Sequence, residues 1–354
     1  MNTEQPLLLD FTSVNYSKTL SILNALVADN PYLVPALVFA EEWYSGNESF
    51  IFQTSGSTGI SKTWPVSKDQ IIASVNATNA YFNIKSGDNV FICLNLHYTG
   101  GKMMLARALH LGLRAYVVQP SNFPFINTAK EFYKLASFVP SQIFTLFNTE
   151  NHQEYLNSYQ NILLGGAPVN QDLKNKCKSV SYTNIYETFG MTETLSHIAL
   201  KKLSSVYTDQ PFKALPGIEV DSDDRYCLRI RGEVTDHNWL ETNDVVDLID
   251  EKQFYWRGRF DNIINTGGIK INPEEIENAI FLKLKSMKHD SFYVSSEADV
   301  KFGKRLILVI EGKEIEKNLL LILKDILPEH HAPTKIIYQN EFKRTLSGKI
   351  IRTL

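Results

Sequence analysis

Cysteine is scarce in this chain. There are three in 354 residues, Cys93, Cys177 and Cys227, and none falls in a C-x-x-C spacing. That argues against a disulfide framework or a thiolate zinc site and fits a reducing cytoplasm. No apolar run approaches the roughly 20 residues that cross a bilayer. The first residues, Met-Asn-Thr-Glu-Gln-Pro, lack the basic start of a signal peptide. An excess of one charge is missing too. With 36 basic and 39 acidic residues the net charge is −3, so neither nucleic acid nor membrane insertion is expected. Repeats and low-complexity tracts are also lacking, and nothing sets an oligomeric state.

What remains is an ordinary globular composition, 44% hydrophobic and 21% charged. The length suffices for two or more folding units. Residues 1 to 48 read as a helical lead-in, with Leu20, Leu23, Leu26 and Val27 at helical spacing. Ser49–Gln53 reads as a strand, and Ser67-Lys68-Asp69-Gln70 as a capping box opening a helix. Strands are expected at Val90–Leu94, Ala115–Val118, Asn161–Leu164 and Thr183–Tyr186. Helices are expected after Gly100-Gly101, around Thr128–Leu135 ahead of the apolar run Gln142–Phe147, and over Asn170–Lys178. This alternation predicts an α/β fold with a doubly wound, mainly parallel sheet. In such sheets ligands gather beyond the carboxyl ends of the strands.

From about Leu200 the texture changes to short strand-like pieces, Tyr226–Arg231, Val245–Ile249 and Gln253–Trp256, which predict a small antiparallel unit. Beyond the polar stretch Arg257–Asn262, Asn272 and Pro273 mark a helix start. Strands at Ser291–Ser295 and Leu306–Glu311 and a helix over Glu316–Leu327 complete a small α+β C-terminal domain. The expected division is a large domain over 1–258, a hinge over 259–262 and a small mobile domain over 263–354.

The densest chemical signal is Thr54-Ser55-Gly56-Ser57-Thr58-Gly59-Ile60-Ser61-Lys62, directly after a strand. Glycines let successive N–H groups converge into a nest for phosphate oxygens, while hydroxyls and lysine add donors and charge. The spacing is not that of a Walker loop. A second polar cluster, Tyr186-Glu187-Thr188-Phe189-Gly190-Met191-Thr192-Glu193, again follows a strand. Mg²⁺ prefers oxygen ligands and often joins one carboxylate to substrate phosphates, a role open to Glu193. Glu187 fits a supporting or structural role. Asp244 and Arg259 suit ribose hydroxyls but equally a surface ion pair. Lys349, after Ser347-Gly348, is a mobile cation suited to a transferring phosphoryl group.

Taken in order, TSGSTGISK, GGAP, YETFGMTE, TND, GRFDNIINTGGIKINPEEIE and RTLSGK resemble the core motifs of the acyl- and aryl-CoA ligase family of adenylate-forming enzymes. The resemblance runs from about residue 50 to the C-terminus. It implies that Thr54 to Thr58, with Gly59 and Lys62, hold the phosphates of ATP. It further implies Mg²⁺ on Glu193, adenine beside Gly165, Gly166, Ala167, Pro168 and Tyr186 with Glu187 and Thr188, and ribose on Asp244 and Arg259. Asp261 falls at the hinge, Gly267 and Gly268 serve coenzyme A, and Thr54, Glu193 and Lys349 carry adenylation. Four positions depart from the pattern: Ser61 and Lys343 stand where proline is common, Asn243 where glycine is, and Asn262 where aspartate is. Larger members also carry a longer portion before the glycine loop, which leaves the substructure of the large domain open.

His97, Tyr98, Thr99 and Arg107 fall where the family builds its acyl pocket. The pattern NLHYTGGKMMLARAL is similar to members that activate o-succinylbenzoate in menaquinone biosynthesis. Such a substrate carries a second carboxylate, which needs a cation if buried; Arg107 is the candidate, against the alternative of a packed helix with a snorkelling arginine. The nucleotide motifs equally allow a ligase for another acid, a carrier-protein-loading enzyme, or a non-catalytic nucleotide-binding regulator. The presence of both Glu193 and Lys349 argues against the last.

Overall fold

The computed structural model describes residues 5–13, 16–53, 63–125, 131–205, 210–289, 291–314, 316, 318–344 and 350–352. The glycine loop Thr54–Lys62 and Lys349 lie outside the described residues. The chain divides into two compact units. The first comprises residues 1–169, 173–220 and 230–240, and the second 170–172, 221–229 and 241–354.

The first unit begins with β1 (Leu7–Asp10), α1 (Tyr16–Val27) and α2 (Val34–Tyr44). A two-stranded hairpin follows, β2 (Ser49–Gln53) and β3 (Thr63–Ser67), whose ends Gln53 and Thr63 pair across residues 54–62. Then come α3 (Lys68–Phe82), β4 (Asn89–Ile92), α4 (Thr99–Leu111), β5 (Arg114–Val117), β6 (Leu135–Phe138), α5 (Pro140–Phe147), α6 (His152–Leu156), β7 (Asn161–Leu164), α7 (Gln171–Lys178), β8 (Asn184–Gly190), β9 (His197–Lys202) and β10 (Phe212–Ala214). The order in this unit's sheet is β1-β5-β4-β6-β7-β8-β9-β10. Neighbours from β5 to β8 run parallel, while β1, β9 and β10 are antiparallel.

Alternation along these strands feeds two faces. Phe91, Ala136, Phe138, Ile162, Leu164 and Ile185 join Ile143 and Leu146 of α5 and Leu173 and Cys177 of α7 in one core. Each such fully buried large side chain stabilises by roughly 1.5–3 kcal/mol. The helix α3 begins as its sequence requires: Gln70 N–H donates to Ser67 Oγ at 3.1 Å, and Ser67 N–H donates to Gln70 Oε1 at 3.0 Å.

One expected helix is corrected. Residues 126–130 are outside the described set, but Leu135 belongs to strand β6, between β4 and β7. A short apolar run buried on both faces reads alike as helix or strand, and sheet pairing decides it. The apolar run Gln142–Phe147 is helical, opened by Pro140 in the first turn.

The strands β11 (Glu219–Ser222) and β12 (Cys227–Arg231) fall at the division. The second unit continues with the hairpin β13 (Leu240–Asp250) and β14 (Gln253–Arg259), the small hairpin β15 (Ile264–Thr266) and β16 (Ile269–Ile271), α8 (Pro273–Ser286), β17 (Phe292–Asp299), β18 (Gly303–Glu311), α9 (Leu319–Ile326) and β19 (Lys335–Gln339). The expected hinge, 259–262, lies inside this unit, where Phe260–Asn262 forms a 3-10 turn. In the sheet β17-β18-β19, Leu306, Leu308 and Ile310 face Ile276, Ile280, Leu284, Leu319 and Leu323 of the two helices. Ile307 and Val309 face Tyr293, Phe342 and Ile350 on the opposite side. Among the described residues no helix is long and apolar enough to cross a membrane.

Candidate active site

In the first unit, the loops after the parallel strands β4, β7 and β8 carry the candidate residues. After β7 comes Gly165-Gly166-Ala167-Pro168, and Thr188 of β8 donates its hydroxyl to Leu164 O at 2.9 Å. A Cβ on Gly165 would lie 2.6 Å from Thr188 Oγ1, so this close approach requires glycine. Gly165 and Thr188 are thus brought together.

Tyr186, on β8, packs against α3. It pairs with Leu163, and its ring sits 6.0 Å and 5.4 Å from the rings of Tyr81 and Phe82 of α3. It is only 8% exposed, and burial pushes its hydroxyl up to about 12. The aromatic nearer the end of β8 is Phe189, half-buried and 5.7 Å from Phe212. It stands directly before Gly190-Met191-Thr192-Glu193, and that position was the available signal. Glu187 faces Lys174 of α7 at 3.2 Å, an ion pair within the scaffold.

Beyond β8, Thr192–Thr194 forms a 3-10 turn that carries Glu193. Thr194 Oγ1 closes the turn by accepting from Met191 N–H at 3.1 Å and donating to Ser196 O at 2.9 Å. Leu195 follows at φ 63° and ψ −41°, a strained conformation for a branched residue, costing of order 1–3 kcal/mol. Among the described residues no hydrogen bond or ion pair engages the Glu193 carboxylate. Nor do three metal-ligating side chains gather anywhere among them. A lone half-buried carboxylate fits Mg²⁺ that takes its other ligands from phosphate and water.

The strained turn also builds a polar cluster that the sequence did not reveal. Arg107 of α4 is 2% exposed. Its Nη2 donates to Thr78 Oγ1 at 3.1 Å and Ser196 Oγ at 3.0 Å, while its Nε has no partner among the described residues. Burial alone draws it down to about 10, with no carboxylate among the described residues to hold it up. His197 sits between the same hydroxyls, Nε2 3.3 Å from Thr78 Oγ1 and Nδ1 3.1 Å from Ser196 Oγ. Burial, then the Arg107 charge, holds its imidazole well below the usual range. Beside His197 lies a cavity of about 240 Å³ lined by Ser74, Ala77, Thr194, Gly217 and Val234. Arg107 is joined to His197 of that lining through their shared partners, Thr78 and Ser196.

His97, Tyr98 and Thr99 lead into α4. The rings of His97 and Tyr98 pack edge to face at 5.5 Å. Thr99 Oγ1 donates to Gln53 O at 3.3 Å, and Lys102 Nζ donates to Ile51 O at 3.0 Å. The Lys102 ammonium also lies over the rings of Phe52 and Phe39, at 5.1 Å and 5.9 Å.

In the second unit, Asp244 and Arg259 face each other across β13 and β14, Nη1 to Oδ2 at 3.4 Å. Trp256 Nε1 donates to the other Asp244 oxygen at 2.9 Å. Burial raises the Asp244 carboxyl above its ordinary range despite these donors. Asp261 is paired with Arg259 at 2.9 Å. Gly267 and Gly268, at φ 57° and 84°, form the exposed two-residue turn joining β15 to β16, a geometry that suits glycine at both positions.

The description of the AMP-binding enzyme family matches residues 24–224, and the chain belongs to that family. A solved acyl-CoA synthetase (AMP-forming)/AMP-acid ligase II-like protein from Dyadobacter fermentans DSM 18053 is 32% identical. The match covers 91% of this chain and 92% of that one at a TM-score of 0.62. Among curated proteins, the 2-succinylbenzoate–CoA ligase of Lactococcus lactis subsp. lactis (strain IL1403) is 27% identical over 327 residues, covering 85% of this chain and 69% of its own length. The o-succinylbenzoate coenzyme A synthetase of Bacillus subtilis, solved with ATP and magnesium ion, is 22% identical. It covers 85% of this chain and 68% of that one at a TM-score of 0.70, a likeness of fold.

Proposed function

We propose that this chain is an ATP-dependent carboxylate–CoA ligase acting on an aryl acid with a second carboxylate, o-succinylbenzoate by preference, in menaquinone biosynthesis. The observation that carries the reading is Arg107: a fully buried cation with an unsatisfied Nε and no counter-ion among the described residues. An uncompensated buried charge is costly, and a substrate carboxylate would offset that cost. Relatives named 2-succinylbenzoate–CoA ligase from Lactococcus lactis and Bacillus cereus support the choice of acid.

In this reading the substrate carboxylate, already ionised near neutral pH, attacks the α-phosphorus of ATP in line. The bond to pyrophosphate breaks, and an acyl-adenylate remains. The thiol sulfur of coenzyme A then attacks the acyl carbon, AMP departs and the thiol proton passes to solvent. Residues Thr54 to Thr58 with Gly59 and Lys62 hold phosphates. Gly165 to Pro168 and Thr188 border the base, with Phe189 supplying the aromatic face. Asp244 and Arg259 take the ribose, Gly267 and Gly268 the coenzyme, and Asp261 turns the hinge. Mg²⁺, held by Glu193, would neutralise phosphate charge, and Lys349 would do so for the transferring group.

The test is a panel of aryl and alkyl acids assayed for pyrophosphate release and then for CoA thioester. The reading expects preference for the aryl dicarboxylate. Equal turnover of benzoate-type monocarboxylates would overturn the substrate, and absence of pyrophosphate release with any acid would overturn the activity.

A further inference from the structure

The chain on either side of residues 345–349 is anchored by two arginine clamps. Arg344 and Ile350 form a β-bridge, and Ile351 N–H donates to Lys343 O at 2.8 Å. Phe342 and Ile350 bury against the sheet. On the entering side, Arg344 pairs with Glu311 at 2.6 Å and donates to Ser291 Oγ at 3.0 Å. On the leaving side, Arg352 pairs with Glu277 at 2.8 Å and reaches Glu274 at 3.8 Å.

The second clamp has a wider reach. Glu274 and Glu277 stand three apart on α8, so like charges share one face and call for a cation. Glu277 Oε1 accepts Val294 N–H at 2.8 Å, satisfying a donor on the free edge of β17. Glu274 Oε1 accepts the side-chain amide of Asn262, in the turn where the hinge is expected. Arg352 lies three residues beyond Lys349, and its guanidinium packs 5.9 Å from the Tyr293 ring. One network, Asn262–Glu274–Arg352–Glu277, therefore ties the hinge turn to the chain leaving the lysine.

We propose that Arg352 is a positioning residue for Lys349, holding residues 350–352, the chain that follows that lysine, against α8 and, through Glu274, the hinge turn. The proposal rests on the reading of Lys349 as the adenylation lysine. Arg352 touches no reacting group; it acts through the path of the chain. In that reading adenylation depends on Lys349 and thioester formation does not, so the two half-reactions separate a positioning role from a structural one.

The experiment uses the full chain carrying Arg352→Met, which keeps an apolar stem beside Tyr293, with Arg352→Lys and Lys349→Ala alongside. Pyrophosphate exchange reads adenylation, thioester formation from supplied acyl-adenylate reads the second step, and amide exchange at residues 350–352 reads local order. For Arg352→Met we expect adenylation kcat to fall on the order of tenfold to a hundredfold, the cost of a small misplacement. KM for ATP and the thioester step should hold, exchange at 350–352 should rise, and Arg352→Lys should recover part of the rate. Parallel loss of both steps would overturn the proposal, as would unchanged adenylation in Arg352→Met when Lys349→Ala abolishes it. Full pyrophosphate exchange in Lys349→Ala would instead remove the reading beneath the proposal, and the proposal with it.

Discussion

Asn243 donates its side-chain amide to both carboxylate oxygens of Asp261, at 3.1 and 3.2 Å. The residue that stands in place of an expected glycine therefore holds the expected hinge residue directly. Asn243→Gly should cost only about 0.5–1 kcal/mol, since the pair is exposed, as a urea midpoint would show. We predict that it also raises the rate of thioester formation relative to adenylate formation, because Asp261 turns more freely. An unchanged ratio would mean the hinge moves without regard to Asn243.

Arg107→Met removes a buried charge that nothing among the described residues neutralises. Replacing uncompensated buried charge by an apolar side chain of similar volume is neutral or stabilising, here by about 0–2 kcal/mol. Activity should move the other way: KM for an aryl dicarboxylate should rise roughly tenfold or more, with KM for ATP nearly unchanged. A joint rise in both constants would assign Arg107 to packing alone.

Gly165→Ala places a methyl group 2.6 Å from Thr188 Oγ1. Overpacking of this kind costs about 1–3 kcal/mol. Thr188→Ala in the same chain removes the obstructing oxygen and should recover most of that loss. Chemical denaturation of the two single variants and the double variant forms the cycle; additive losses would refute the contact.

The two arginine clamps should respond oppositely to pH. Burial pushes Glu277 up to about 7, against the pull of Arg352. The folded chain thus keeps that proton longer than the unfolded chain, and stability from this group, complete below the ordinary 4.5, is lost as pH rises through about 7. Relative to Glu277→Gln, the native chain should lose roughly 1–3 kcal/mol between pH 4.5 and 7.5. Glu311 is held at about 2, above all by its hydrogen bond to Arg344. Its contribution is present above the ordinary carboxyl range and is lost as pH falls toward 2. Denaturation midpoints of Glu277→Gln and Glu311→Gln across pH would show opposite slopes.

Local chemistry was the legible part of this chain. The Ser67–Gln70 box and the Asn272 cap were readable because capping involves residues two or three apart, and both form. The strand Ser49–Gln53 was bounded by its own apolar run. Leu135–Phe138 was not legible as a strand, because a four-residue apolar run has no decisive period and only pairing with β4 and β7 fixes it. Within the site, the motif order pointed to Arg107 but not to its partners, Thr78 and Ser196, which stand 29 and 89 residues away. His197 carried no spacing signal at all. The packing of Tyr186 on Tyr81 and Phe82 was not legible either, because the motif says nothing of the helix beside it.

The first turn of α4 gives the chain a constraint on how its chemistry can diversify. Thr99 and Lys102 grip the backbone carbonyls of Gln53 and Ile51, in the strand that leads into residues 54–62. His97 and Tyr98, proposed above to face the acid, stand in the loop immediately before that turn. Exchanging that loop for a relative's would therefore transplant only half of a joint. A designed change of acid should carry β2 and α4 together as one module, or give up the hold of α4 on β2.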